Sequence, residues 1–476
     1  MVATLVGACG EAGSDGKRGA APGLDAAEPF SRVLVVGMDG LEWSVLQPLI
    51  AQGRCPNMAD LMKRGVFGRL GTMRPTWSPV VWTTIATGKT MKQHGIGGFV
   101  DNNNNVYTSG RRHGRALWDI ADQYGLRSAV VGWWTTWPVS QNNGLMISGT
   151  NASAQLNVNW KPALMPGVDG QVHPPELQDR VYEVAAEAGG RDAIFERARS
   201  IFATQIADLP KPERKAVDES LWSIQADATY AALAAEFFDD EPYDLSMVYL
   251  GGTDVVGHRF WRQLHPEEFN WQGSSPELDA ALACSLPRYY EWADELLGDI
   301  LAAAGDDVAV MLLSDHGMHA DPGSVTDSRF PTTGNHQDGT PGVIIAAGRG
   351  IRKAEGEYER FVESGAIANR GNIFDVTPTV LGLLGIPGAR NMTQRVPQRK
   401  WLNGKAWEFV QELELVDSHD VGFREASMVL ASSEANASFN ERMIDQLGYA
   451  GGDAEGDSVL VNPEDFDPAV GASACR

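Results

Sequence analysis

From Arg32 to Gly37 the chain reads RVLVVG, an unbroken apolar run suited to a strand buried on both faces. Comparable runs recur at 126–132, 243–251, 307–314 and 342–347, and helical periodicity fills Pro56–Arg64 and 286–304 between them. A buried strand followed by a helix, repeated along the chain, predicts an α/β fold with a mostly parallel sheet covered on both sides.

Residues 30–390 form the main body on this reading. The segment at about 151–223 breaks the rhythm with a polar, proline-bearing loop and a helical stretch at 193–207, as expected of an insertion capping one edge of the sheet. A helical pattern at 375–384 closes the body at Gly385-Ile386-Pro387. Residues 391–476 are then an extension with a helix near 424–447 and an acidic tail, and residues 1–29 are a flexible tether.

Three of the expected parallel strands run into metal-ligand residues: VLVVGMDG at Asp39, LSMVYLGGTD at Asp254, and VAVMLLSDHG at Asp315 and His316. The carboxyl ends of parallel strands share one edge of a sheet, so residues this distant in the chain can converge. Any one such Asp is more simply a turn or helix cap, and the coincidence of three carries the weight. His258 follows Asp254 by one helical turn, and His336 lies in the loop GNHQDG. Three Asp and three His supply two sets of mixed oxygen and nitrogen ligands, suited to two divalent metals, zinc first, with manganese or iron as alternatives. The other histidines among the nine, His94, His113, His173, His265, His319 and His419, read as surface or structural residues.

A nucleophile is expected within RPTWSPVVWTTIATG. Ser78 before Pro79 reads as the cap and first position of a helix, placing a hydroxyl where anions are stabilised, and Thr76 is the competing hydroxyl. Because Pro79 has no N–H, an oxyanion donor there would come from Val80 or a side chain. Trp77, Asn335 and the aromatic stretch 132–137 are candidates for a substrate pocket, with plain core packing the stronger reading for the tryptophans.

Composition narrows the field further. With 43% apolar and 21% charged residues the chain is an ordinary globular one, and 39 basic against 62 acidic residues give a net charge of −23. That field repels phosphate backbones, which argues against extended nucleic acid as a partner but leaves small anionic substrates open where a cation outweighs it locally. No window approaches the roughly 18 apolar residues of a membrane span. The four cysteines, Cys9, Cys55, Cys284 and Cys475, lack CxxC spacing, and only Cys55 and Cys284 could pair within the body. TLVGAC, ending at Cys9, resembles the lipid-attachment box of a bacterial lipoprotein. A lipid anchor in the periplasm or cell envelope is expected if the start codon is placed too late, and a cytoplasmic protein if Cys9 is incidental.

The ordered pieces VGMDG, SPVVWTTIATGKTMKQHGI, TDVVGHRFW, LLSDHGM, GNHQDGTPGVII and NIFDVTPTVLGLLGIP resemble the motifs of the type I phosphodiesterase/nucleotide pyrophosphatase family of the alkaline phosphatase superfamily, over about residues 32–387. The resemblance implies a three-layer α/β/α sandwich and a nucleophile ten residues before Gly88, which is Ser78 rather than Thr76. It groups Asp39, Ser78, Asp315 and His316 at one metal, and Asp254, His258 and His336 at the other. Two departures stand out: serine replaces the commoner threonine, and Val81 occupies the place of an asparagine that holds phosphoryl oxygens in the nucleotide-cleaving members. The implied activity is hydrolysis of a small phosphodiester or nucleotide-like ester through a phosphoseryl intermediate. Phosphomonoesters, phosphonates and phosphoryl transfer are the alternatives within the superfamily, and a metal-stabilised binding protein the alternative outside enzymes. Nothing in the sequence speaks to oligomeric state.

Overall fold

The structure is a computed structural model, and it describes residues 27–102, 106–149, 164, 168–202, 208–240, 242–270, 276–323, 332–423 and 459–461. The tether with Cys9, the helix expected near 424–447 and Cys475 lie outside the described residues.

The strands are β1 (Arg32–Met38), β2 (Val66–Arg74), β3 (Ser128–Val131), β4 (Gly144–Ile147), β5 (Val172–His173), β6 (Leu245–Leu250), β7 (Val308–Leu313), β8 (His319–Ala320), β9 (Gly334–Asn335), β10 (Gly342–Gly348), β11 (Asn369–Asn372) and β12 (Val459–Val461). All but β8 and β9 join one sheet in the order β11-β2-β10-β7-β1-β6-β3-β4-β5, with β12 paired to β2. The run β7-β1-β6-β3-β4 is parallel throughout. β10 runs antiparallel to both neighbours, and β5 and β12 are antiparallel edge additions. The sheet is therefore mostly parallel.

Side chains alternate across it with the period of two that a pleated strand imposes. Leu34, Val36 and Met38 of β1 join one core with the helices Trp43–Ala51, Pro56–Arg64, Leu221–Asp240 and Ser285–Ala304. Val33 and Val35 join the opposite core with Ser78–Thr87, Leu117–Gln123 and Val376–Leu383. Two apolar layers flank one sheet, which gives the three-layer α/β/α sandwich. No described helix is long and apolar enough to cross a membrane.

Within the segment read as an insertion, β5 extends the sheet edge, and the helices Gln178–Ala188 and Arg191–Phe202 bury Val181, Ile194 and Phe202 in the first core. In the segment after residue 390, the helix Gly404–Gln411 buries Ala406 and Val410 in the second. The pairing of Cys55 with Cys284 does not occur. Cys55 is a free, buried thiol, and Cys284 is disulfide-bonded to a partner outside the described residues.

Candidate metal centre and nucleophile

β7, β1 and β6 are neighbours in parallel register, with Gly37 opposite Leu313 and Met38 opposite Leu250. The residues that follow them leave the sheet side by side. Asp39 donates its N–H to the Leu250 carbonyl at 3.0 Å, and Leu41 donates to the Ser314 hydroxyl at 2.9 Å. Gly40 turns the chain with φ +64°, and a Cβ there would stand 2.8 Å from the Asp254 backbone, so the turn has to be glycine. Beyond β6 the helix Gly252–Leu264 opens with Asp254 in its first turn and His258 one turn later. His336 enters from the loop after β9.

These pieces meet in one place. His316 Nε2 is 3.3 Å from Asp39 Oδ1 and 3.4 Å from Asp315 Oδ2. Asp254 Oδ1 is 3.3 Å from His258 Nε2 and 3.7 Å from His336 Nε2. The two groups abut, since the His316 and His336 rings stack with centroids 3.7 Å apart and planes 10° apart. The residues of both expected sets are thus brought close together, and His316 also lies near enough to Asp254 and His336 to group with them.

Hydrogen bonds set the tautomers. His258 Nδ1 donates to the Gly334 carbonyl at 2.7 Å, and His316 Nδ1 to the Gly317 carbonyl at 2.9 Å. The Thr76 hydroxyl donates to the His336 carbonyl at 3.1 Å and so accepts from His336 Nδ1 at 3.0 Å. His316 and His336 each turn an Nε2 lone pair inward, whereas burial acts to lower His258 but the neighbouring Asp254 carboxylate outweighs it and favours a proton on the Nε2 that faces it. The Nε2 atoms of His258 and His336 face each other at 3.1 Å, a repulsive contact unless a proton or cation lies between them. Asp39 Oδ1, Asp254 Oδ1, Asp315 Oδ2 and His316 Nε2 are all buried without a hydrogen-bond partner. Such orphaned acceptors fit divalent cations, and the mixed oxygen and nitrogen donors suit zinc, manganese or iron.

Electrostatics agree. Burial pushes Asp315 well above the usual carboxylate range, and the Asp39 and Asp254 carboxylates push it further. Asp39 is raised by burial and by Asp254, although Tyr249 and Trp82 donate to it. Burial also acts to raise Asp254, but His258, His336 and His316 outweigh it and hold this acid below its ordinary value. His336 is driven far down by burial and then by His316, so it stays neutral and able to ligate. Three carboxylates in one dry pocket repel one another, and a cation reverses that balance.

Ser78 is the first residue of its helix, with Trp77 as the cap, one position from the expected boundary. Thr76, two residues before it, holds His336. Trp82, one turn after it on the same face, donates Nε1 to Asp39 Oδ2 at 2.9 Å. Ser78 therefore lies in the chain between a residue that contacts His336 and one that contacts Asp39, and its hydroxyl makes no hydrogen bond among the described residues. Thr76, the competing hydroxyl, is hydrogen-bonded to His336 at both its donor and acceptor sides. The N–H groups of Val80 and Val81 both donate to the Trp77 carbonyl, at 2.8 and 3.0 Å, so Val80 is not a free oxyanion donor as expected from sequence.

Trp133 and Trp134 are core residues: Trp133 packs edge-on to Trp82 at 5.0 Å, and Trp134 edge-on to Tyr249 at 6.0 Å. Trp77 is half-buried against the same core. The Asn335 carboxamide is engaged at both ends, donating to Asp321 at 2.8 Å and accepting from the Gln337 N–H at 2.8 Å. Three residues, and the role of Thr76, escaped sequence reasoning. Trp82 and Tyr249 both donate to Asp39 Oδ2, the latter at 2.7 Å, which turns Oδ1 into the pocket. Thr76 fixes His336. Asp227, on the helix Leu221–Asp240, accepts from the N–H groups of Gly251 and Gly252 at 2.8 and 3.0 Å and from Tyr289 at 2.9 Å, anchoring the start of the helix that carries Asp254.

Residues 33–364 match the family described as type I phosphodiesterase / nucleotide pyrophosphatase. The chain belongs to that family. No curated protein matches it. Among solved structures, it resembles a phosphonoacetate hydrolase from Sinorhizobium meliloti 1021 in complex with phosphonoformate, with 16% identity and a TM-score of 0.36 over 63% of this chain and 59% of that one. Human ectonucleotide pyrophosphatase / phosphodiesterase 5 matches at 15% identity and a TM-score of 0.41, over 80% of this chain and 99% of that one. A 2-O GAG sulfatase, BT1596, matches at 13% identity and a TM-score of 0.45, over 79% and 76%.

Proposed function

We propose that this family member is a metal-dependent hydrolase of small phosphodiesters or nucleotide-like esters, with Ser78 as its nucleophile. The observation that carries the proposal is the set of four buried acceptors without partners, on Asp39, Asp254, Asp315 and His316, to which the Ser78 helix is tied through Trp82 and the residue two before Ser78, Thr76. Asp39, Asp315 and His316 would hold one divalent ion on the Ser78 side, and Asp254, His258 and His336 a second, with zinc the favoured identity. Bound ions supply Lewis-acid charge that makes a serine hydroxyl and a water nucleophilic near neutral pH and offsets charge on phosphoryl oxygens.

The side chains do the rest. Ser78 gives up its hydroxyl proton and its Oγ attacks phosphorus, forming a Ser–O–P bond as the opposite ester oxygen leaves with the bonding electron pair and takes up a proton. Water then attacks the phosphoseryl group from the other side, losing a proton, and Ser78 Oγ departs with the P–O electron pair and regains its proton. Tyr249 and Trp82 keep Asp39 aimed at the pocket, and Thr76 does the same for His336. The Val80 N–H is engaged, and Val81 stands where an asparagine would hold a phosphoryl oxygen in the nucleotide-cleaving members, so a donor to that oxygen would have to come from elsewhere. Trp77, half-buried beside Ser78, is the nearest candidate to meet a leaving group, and Asn335 would act by shaping the His336 loop.

Turnover of bis-(p-nitrophenyl) phosphate and p-nitrophenyl phosphate with added zinc or manganese tests this directly. The parent is expected to release nitrophenol faster from the diester, and Ser78→Ala to lose at least about a hundredfold in kcat at unchanged metal content. Equal rates for parent and variant on both esters would remove Ser78 from the reaction.

A further inference from the structure

The helix Gly252–Leu264, which presents Asp254 and His258 at its start, is capped at its other end by His265. The His265 side chain is 3% exposed, and neither ring nitrogen has a hydrogen-bond partner. Native interiors rarely leave an imidazole unanswered at both nitrogens, so this one calls for an explanation. Its Nδ1 lies 3.5 Å from Glu267 Oε1 and 3.7 Å from Glu268 Oε1. The short 3₁₀ turn Pro266–Glu268 makes this possible, closed by the Glu268 N–H donating to the His265 carbonyl at 3.1 Å. Residues three apart eclipse in such a turn, which brings His265 and Glu268 to one side.

A plain ion pair explains this cluster poorly. A charge-assisted N–H···O bond closes to about 2.7–2.9 Å, whereas both separations here are longer and neither is a hydrogen bond. Ligands about 2.0–2.2 Å from a tetrahedral ion stand roughly 3.3–3.6 Å apart, a range that includes the Glu267 separation and falls 0.1 Å short of the Glu268 one. All three donor atoms lie within 4.8 Å of one another. The electrostatics also favour a cation: two adjacent carboxylates repel, and the carboxyl end of the helix adds partial negative charge.

We propose that His265, Glu267 and Glu268 form a further divalent-cation site, suited to zinc, with one imidazole nitrogen, two carboxylate oxygens and a position open to water. Glu267 and Glu268 are exposed, so the ion enters from solvent. Asp254 and His265 are eleven residues apart along the helix axis, roughly 16 Å at 1.5 Å per residue, so this ion does not share ligands with the pocket at the strand ends. Its role is to fix the last turn of the ligand-bearing helix and the chain that leaves it.

The test compares zinc content of the full-length parent with that of Glu267→Gln/Glu268→Gln after equilibrium dialysis against zinc, read by elemental mass spectrometry. Both substitutions fall on exposed side chains, and a matched circular-dichroism melt in chelator checks folding. The double variant is expected to hold one zinc fewer per chain, with turnover of bis-(p-nitrophenyl) phosphate unchanged, and His265→Gln to lose the same ion. Because the readout is a difference between parent and variant, it is independent of what the strand-end pocket binds. Equal zinc in parent and double variant would overturn the proposal, as would loss of turnover together with the ion, which would place that ion in the reaction itself.

Discussion

At the scale of single residues, the tautomer of His336 rests on one hydroxyl. Thr76 accepts from its Nδ1 and donates to its carbonyl, so removing the hydroxyl frees the ring to rotate or to place its proton on Nε2. Thr76→Val is expected to weaken zinc binding by about 10- to 100-fold, as loss of an outer partner to a ligating histidine does, while Thr76→Ser retains it. Competition against a chromophoric chelator measures this, and equal affinity in the parent and the valine variant would mean that packing alone orients His336. The convergence of Asp39, Asp254, Asp315 and His316 was legible because each closely follows an apolar run that ends at the same edge of the sheet. Their supports were not. Thr76 and His336 are 260 positions apart, and Trp82 and Tyr249 read as ordinary core aromatics until both are seen to meet Asp39. Gly37 belongs with them, since a Cβ there would come within 2.6 Å of the Trp82 ring that carries the donor.

Among the elements, the helix Gly252–Leu264 depends on a buried carboxylate at its amino end. Burial pushes Asp227 up to about 7 against donation from the Gly251 and Gly252 N–H groups and Tyr289. Its folded value exceeds its ordinary one, so the stability it contributes is full below about pH 4 and is lost as pH rises through about 7. In chelator-treated protein, the stability of the parent relative to Asp227→Asn should therefore shrink between about pH 4 and about pH 8. Urea midpoints across that range check it, and a difference that grows with pH would contradict it. The strands legible in sequence are those with continuous apolar runs, β1, β3, β6, β7 and β10, each found within about two residues of expectation. β2 was not, because VFGRLGTMR mixes glycine and arginine into its pattern, and β4 is only four residues long. The antiparallel direction of β10 was equally hidden, since a buried strand has the same composition in either orientation.

For the molecule as a whole, two apolar cores press on a sheet whose central strand ends carry two fully buried carboxylates, Asp39 and Asp315, and a third, Asp254, partly buried, in a chain of net charge −23. Folding this without cations concentrates like charge where water cannot screen it. Chelation should accordingly lower the melting temperature reversibly, and zinc should restore it, since an ion that binds only the folded chain adds about 4 kcal/mol at a free concentration 1,000 times its Kd. An unchanged melting temperature would mean that the pocket is stable empty.

The most direct measurement is an anomalous-difference map from crystals grown with zinc and recorded across the zinc absorption edge. One peak is expected among Asp39, Asp315 and His316 beside the Ser78 hydroxyl, and a second among Asp254, His258 and His336. A protein that hydrolyses phosphodiesters while the map is empty at both positions would contradict the metal centre described here.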